Sequence, residues 1–153
     1  MAYKVLWADD PKLNDMEKQK LVKDGLDVIE DIYRYAETGF QSIPADDFAR
    51  FKWAGIYQQR PKTAPYFMMR VRIPSGILNS AQARALAAIS RLYGRDLLDV
   101  TTRQAVQFHW LQIENFPDIF ARLKEVDHFS FEACGDCPRT VVGNPLAGID
   151  PNE

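Results

Sequence analysis

Cysteine is scarce in this chain: 153 residues hold two, three positions apart at Cys134 and Cys137. So close a pair cannot staple a fold, which excludes a disulfide-framework protein and leads us to expect a cytoplasmic setting. Long apolar runs are also missing. No stretch approaches the ~20 residues a helix needs to cross a bilayer, and the opening MAYKVLWADDPK lacks the apolar region and cleavage site of a secretory signal. Histidine is limited to His109 and His128, and neither stands at finger spacing from the cysteines, which argues against a structural zinc site. A net charge of −2 lacks the basic excess of a general nucleic-acid binder. The most telling shortage is local. From Phe48 to Arg95 there is no acidic residue, while Arg50, Lys52, Arg60, Lys62, Arg70, Arg72, Arg84, Arg91 and Arg95 are all basic.

What is present suffices for one ordinary domain: 46% hydrophobic residues, with nine Phe, six Tyr and three Trp. Residues 1–47, with eleven acidic and six basic side chains, read as a helical arm. Val22, Leu26, Ile29, Tyr33 and Ala36 recur at three- and four-residue steps as one face, Gly25 is a point where the arm can split in two, and Gly39 is a stop. Residues 48–65, aromatic and interrupted by proline, read as an extended, partly packed loop.

From Tyr66 a regular alternation begins. Tyr66–Ile73 reads as a strand ended by the turn Pro74-Ser75-Gly76, and a helix over Ala81–Tyr93 is capped by Asn79 or Ser80 and closed by Gly94. Strands follow at Leu97–Thr101 and Ala105–Ile113, then a helix at Pro117–Val126 capped by Asn115, then a last strand at His128–Ala133. The order describes an α+β fold, a ferredoxin-like βαββαβ half-domain spanning 48–133, with an N-terminal helical arm and an irregular C-terminal tail at 134–153. The chain stops soon after a Gly/Pro/Asn-rich stretch with no packed element behind it, so a fragment of a longer protein is expected.

Strand parity supplies a functional argument. Side chains alternate across a strand, so Phe67, Met69, Val71 and Ile73 share one face and Met68, Arg70 and Arg72 the other. In the later strand Val106, Phe108 and Trp110 oppose Gln107 and His109, with Leu111 and Ile113 sharing the latter parity. Helices cover the apolar face. The open face then presents Arg70, Arg72, Gln107 and His109, joined by Arg103 at the strand's entry. Guanidinium forks bind carboxylates and oxyanions in pairs of charge-assisted bonds, so this face suits a flat ligand with an anionic rim, although a plain solvated sheet face has the same pattern. Cys134-Gly135-Asp136-Cys137 has the form of a redox motif but is followed by Pro138 and loop-like sequence rather than a helix that would lower a thiol pKa.

Three ordered segments resemble the sirohaem-dependent nitrite and sulfite reductases: Met69-Arg70-Val71-Arg72-Ile73-Pro74-Ser75-Gly76, Thr101-Thr102-Arg103-Gln104-Ala105-Val106-Gln107-Phe108-His109-Trp110, and the run from Ala133 to Gly148. The chain departs from the family pattern with Ser75 in place of Gly and Ala105 in place of Asn. The resemblance, over about residues 48–151, implies the first ferredoxin-like half-domain and the start of a catalytic domain. It further implies multi-electron reduction of nitrite to ammonia or of sulfite to sulfide at sirohaem coupled to a 4Fe-4S cluster. Arg72 and Arg139 would face the substrate anion, and Arg103 and Gln107 would meet the macrocycle's carboxylates beside His109. Arg70, Thr101, Thr102 and Asn144 would be further cofactor contacts. The family's cluster-binding cysteines, C-x5-C and C-x3-C, and its catalytic lysines lie downstream, so no metal ligand is assigned here. The expected partners are a ferredoxin or flavoprotein electron donor and the missing C-terminal half of the same protein, with no nucleic acid and no membrane. The chain alone is expected to be inactive. Two other functions suit the same residues: a non-enzymatic ferredoxin-like module binding anions or RNA, and a small CxxC thiol redox protein.

Overall fold

A computed structural model describes residues 12–134, 139–144 and 146–151. Cys137 and the first eleven residues lie outside the described residues. The element order is α1 (Asp15–Val22), α2 (Val28–Thr38), α3 (Ala45–Arg50), β1 (Ile56–Gln58), β2 (Phe67–Arg72), α4 (Ser80–Tyr93), β3 (Leu98–Thr101), β4 (Ala105–Leu111) and α5 (Phe116–Lys124). The strands form one antiparallel sheet in the order β1-β2-β4-β3.

Local chemistry accounts for most boundaries. Asn79 and Gln82 form a reciprocal cap at the start of α4: the Gln82 N–H donates to Asn79 Oδ1 (2.9 Å) and the Asn79 N–H to Gln82 Oε1 (3.0 Å). Gly39, at φ 86°, ends α2 in a conformation that favours glycine. Asn115 stands at the start of α5, but its side chain makes no capping bond there.

Of the first two helices, α2 is built into the core, whereas α1 buries no residue. The buried stripe of α2 is Val28, Asp31, Ile32 and Tyr35, whereas Val22, Leu26 and Tyr33 are exposed. The expected face is therefore displaced, because the break between α1 and α2 resets the helical phase. Phe67 of β2 is ringed by Phe40, Phe48, Phe51 and Phe116, with centroids 5.7–6.2 Å away. Such aromatic pairs add to the apolar burial that drives folding.

Three expectations are corrected. First, residues 48–65 are not simply a loop: they include the end of α3, a 3-10 turn at Phe51–Ala54 and the edge strand β1. Second, His128–Ala133 forms no strand. β1 already takes the edge of β2 that this segment needed, leaving it a parting bond from the Arg72 N–H to the Phe129 carbonyl (3.2 Å) and another from the Glu132 N–H to Trp53 O (2.8 Å). Its burial runs against hydropathy, with His128 and Ser130 inside and Phe129 43% exposed. Third, β4 carries a bulge. Phe67 pairs with Leu111 and Met69 with Phe108, so Met68 alone on one strand stands against His109 and Trp110 on the other. Trp110, at φ 60°, accommodates the extra residue. Parity inverts beyond it, so Leu111 and Ile113 enter the core while Trp110 leaves it. The Trp110 ring lies 5.0 Å from the Arg95 guanidinium, which also covers Tyr66 at 5.2 Å.

Candidate functional site

The sheet face turned away from the core carries the half-buried members of β2, Met68, Arg70 and Arg72, and from β4 Gln107 and His109. The register sets Arg70 opposite Gln107, and Gln107 opposite Asp99. With the Gln107 amide oxygen facing Arg70, it accepts from Arg70 Nε (3.0 Å) and Nη2. Arg70 Nη1 donates to Cys134 Sγ at 3.0 Å. All three nitrogens of this guanidinium are thereby engaged, so Arg70 is a fixed strut of the face. His109 Nε2 is 3.0 Å from Asp99 Oδ2, an arrangement that orients the imidazole.

Thr101 ends β3 and Thr102, Arg103 and Gln104 form the turn to β4, with the Arg103 N–H donating to Thr101 Oγ1 at 3.3 Å and the Arg103 side chain exposed. Gln104, at φ 51°, joins this turn to two other segments. Its carbonyl accepts from the Ile73 N–H (3.3 Å), and its Nε2 donates to Gly143 O (3.3 Å).

Where β2 ends, a cleft of about 560 Å³ opens between that strand and residues 139–143. Arg72, Arg139, His128, Thr140, Ser75 and Asp127 are among its lining residues. Arg72 Nη1 makes a loose ion pair with Glu132 Oε2 at 3.7 Å, and Arg139 Nη1 stands 3.9 Å from Cys134 Sγ. Burial pushes the His128 imidazole below its ordinary pKa, an effect the Asp127 backbone only partly offsets. Two guanidiniums in one concave site can hold a small oxyanion, since both stay protonated at any working pH.

Arg72 and Arg139 thus meet in the cleft, and Arg70 and Gln107 meet on the sheet. His109 stands with Asp99, and Arg103 stands apart on the turn. Asn144 closes its own turn, its Oδ1 accepting from the Leu146 N–H at 2.9 Å. Sequence reasoning gave three residues of this region no part in the anion site. Cys134, 8% exposed, touches two arginines; Gln104 ties the turn to the tail; His128 lies buried in the cleft wall. The alternation of His128 and Ser130 with Phe129 and Phe131 is visible in the sequence, but hydropathy assigns its two faces the wrong way round, so it did not reveal the last.

A four-stranded antiparallel sheet with helices on one face and a cationic open face defines a ferredoxin-like half domain. Residues 59–126 match the family model of the nitrite/sulfite reductase ferredoxin-like half domain. It is 44% identical over 158 residues to the sulfite reductase (ferredoxin) of Mycobacterium tuberculosis, covering 92% of this chain and 28% of that protein. It is 43% identical to the ferredoxin–nitrite reductase of Synechococcus elongatus, covering 95% of this chain and 29% of the relative. The solved structure of the Mycobacterium tuberculosis NirA protein superposes with a TM-score of 0.84 at 42% identity, over 92% of this chain and 29% of that one. The chain therefore spans less than a third of the length of these relatives.

Proposed function

We propose that this chain is the N-terminal part of a sirohaem-dependent reductase that converts nitrite to ammonia or sulfite to sulfide. The observation that carries the reading is the convergence of Arg72 and Arg139 on one cleft. Residues 1–47 would serve as its helical N-terminal segment, 48–133 as the half-domain, and 134–153 as the start of the catalytic domain.

The donor set suits a polycarboxylated macrocycle. Arg103, whose side chain is exposed, and Gln107 would meet its carboxylates, and His109, Thr101, Thr102 and Asn144 would line the same wall. Arg70, engaged with Gln107 and Cys134, would hold Gln107 in place. Bound sirohaem would supply the redox centre through which electrons from the donor reach the substrate. The chain's own residues would do the electrostatic work. Arg72 and Arg139 would bind the oxyanion, orient it and stabilise negative charge growing on each departing oxygen, as preorganised donors do at other developing oxyanions.

A 4Fe-4S cluster does not fit the residues here. Among the described residues no group of three or more His, Cys, Asp or Glu side chains could hold a metal. The cluster, the electron donor site for a ferredoxin or flavoprotein, and the second half of the cofactor enclosure would belong to the remainder of the protein. No helix among the described residues is long and apolar enough to cross a membrane, and a cytoplasmic enzyme is the proposed setting. An absorbance titration of sirohaem into the chain tests this: Arg103→Ala with Gln107→Ala should weaken the spectral change, and the chain alone should not turn over nitrite or sulfite. Turnover by the isolated chain would overturn the proposal that it needs its other half.

A further inference from the structure

His128 is 3% exposed, lines the cleft that holds Arg72 and Arg139, and has an Nε2 with no hydrogen-bond partner among the described residues. Thr140 Oγ1, in the same wall, is likewise buried and unsatisfied. Leaving a buried polar atom unpaired is costly. Two such atoms beside two guanidiniums point to a hydrogen-bonding guest.

We propose that His128 is an anion-binding group of this cleft, and that the entry of a small oxyanion such as nitrite is coupled to uptake of a proton by its imidazole. The inference rests on the cleft's being an oxyanion site. With no anion in the cleft, the balance is against an imidazolium. β2 contributes Arg72 and the 139–143 segment Arg139, both cationic, and Glu132 is drawn to Arg72; only Asp127, in the turn before the histidine, favours the charged ring, and burial outweighs it. α5, whose Leu123 carbonyl accepts from the His128 N–H at 2.9 Å, carries Arg122 and Lys124 in its last turn. Burial acts in the same direction. A bound anion reverses the balance, because its negative charge favours the protonated ring and Nε2–H then has an acceptor. The consequence is useful to a reduction in which oxygens leave as water: the proton arrives with the substrate.

The chain holds only two histidines, so imidazole NMR follows both in the unsubstituted protein. Without nitrite, His128 should titrate below the ordinary histidine range. With saturating nitrite its midpoint should rise by about one pH unit if the protonated site binds tenfold more tightly, and Arg139→Ala should abolish the rise. Nitrite affinity, measured by calorimetry, should weaken with rising pH in the native chain but not in His128→Gln, and His128→Asn gives a second variant should Gln disturb packing. Nitrite binding that depends on Arg72 and Arg139 while the His128 midpoint stays fixed would overturn the coupling and leave the oxyanion reading intact. A midpoint moved equally by chloride at the same ionic strength would also overturn it. Absence of any arginine-dependent nitrite binding would overturn both.

Discussion

Gly55 packs against β2 at Arg70 and against the 128–133 segment at Ser130, two parts of the molecule that border the cleft, and replacing it with alanine is the sharpest test of how that arrangement is held. The residue sits at φ 76°, where an L side chain is strained by about 1–2 kcal/mol. An added Cβ would lie 2.2 Å from the Ser130 carbonyl oxygen and 2.8 Å from that of Arg70. Both obstacles are backbone, so no side chain can swing aside. Ordinary contact begins near 3.4 Å, and the 128–133 segment would have to retreat by about 1.2 Å (3.4 less 2.2). That retreat strains or breaks the Arg72–Phe129 and Glu132–Trp53 backbone bonds, each worth about 0.5–1.5 kcal/mol. The total is a loss of about 2–5 kcal/mol, a large share of the ~5–15 kcal/mol that holds a typical domain together. Urea unfolding should show it as a lower midpoint, and thermal melting as a fall of about 10 °C. Gly143→Ala is the control: nothing lies within 4 Å of its added Cβ, so its stability should stay within about 0.5 kcal/mol. A Gly55→Ala protein less than about 1 kcal/mol below the parent would refute the claim that backbone crowding fixes this junction.

Further outcomes follow from other contacts. Burial pushes the Asp47 carboxyl up, but hydrogen bonds from Tyr35 and Arg50 outweigh it and hold the carboxyl below its ordinary range. Its stabilising contribution is therefore complete above the unfolded value of ~3.9 and is lost as pH falls through the lower folded value. Tyr35→Phe should cost about 1–2 kcal/mol at neutral pH, with the gap narrowing in acid, as read by urea titrations across pH. Phe108→Ala, at a fully buried site, should cost about 3–5 kcal/mol in the same assay. Arg95→Ala, which uncovers Trp110 and Tyr66, should cost about 0.5–1 kcal/mol and alter tryptophan fluorescence. Glu132→Gln removes only the loose, half-exposed partner of Arg72, so stability should change by no more than about 1 kcal/mol while nitrite affinity rises.

The sequence made the local structure legible where one residue decides it. Asn79, Gly94, Gly39 and the Pro74-Ser75-Gly76 turn all fall at element boundaries as expected, and the break around Gly25 does divide the first segment into two helices. The alternation in β2, which sets Arg70 and Arg72 on the open face, holds throughout the strand. What escaped was decided by pairing between distant segments. Nothing in His109-Trp110 announces an extra residue; the mismatch exists only against Phe67–Met69 of the neighbouring strand. Ile56–Gln58 is too short to display a period, yet it wins the edge of β2 over His128–Ala133, whose sequence looks more strand-like. The association of Arg139 with Arg72 across 67 positions, and of Cys134 with Arg70 across 64, likewise depends on the path of the tail. The family likeness, not residue periodicity, brought Arg139 into consideration.

The edge strand has a practical bearing on how this protein can be dissected. The span diagnostic of the family, 59–126, begins one residue after β1 ends. Excising it would strip one flank of β2 of its hydrogen-bonding neighbour and take Phe40, Phe48 and Phe51 away from Phe67. An open flank of that kind invites pairing with other copies. The portion by which the family is recognised thus lacks a strand and three aromatic rings that complete the sheet and its core, and expression boundaries are better drawn outside α2 and beyond Ala133.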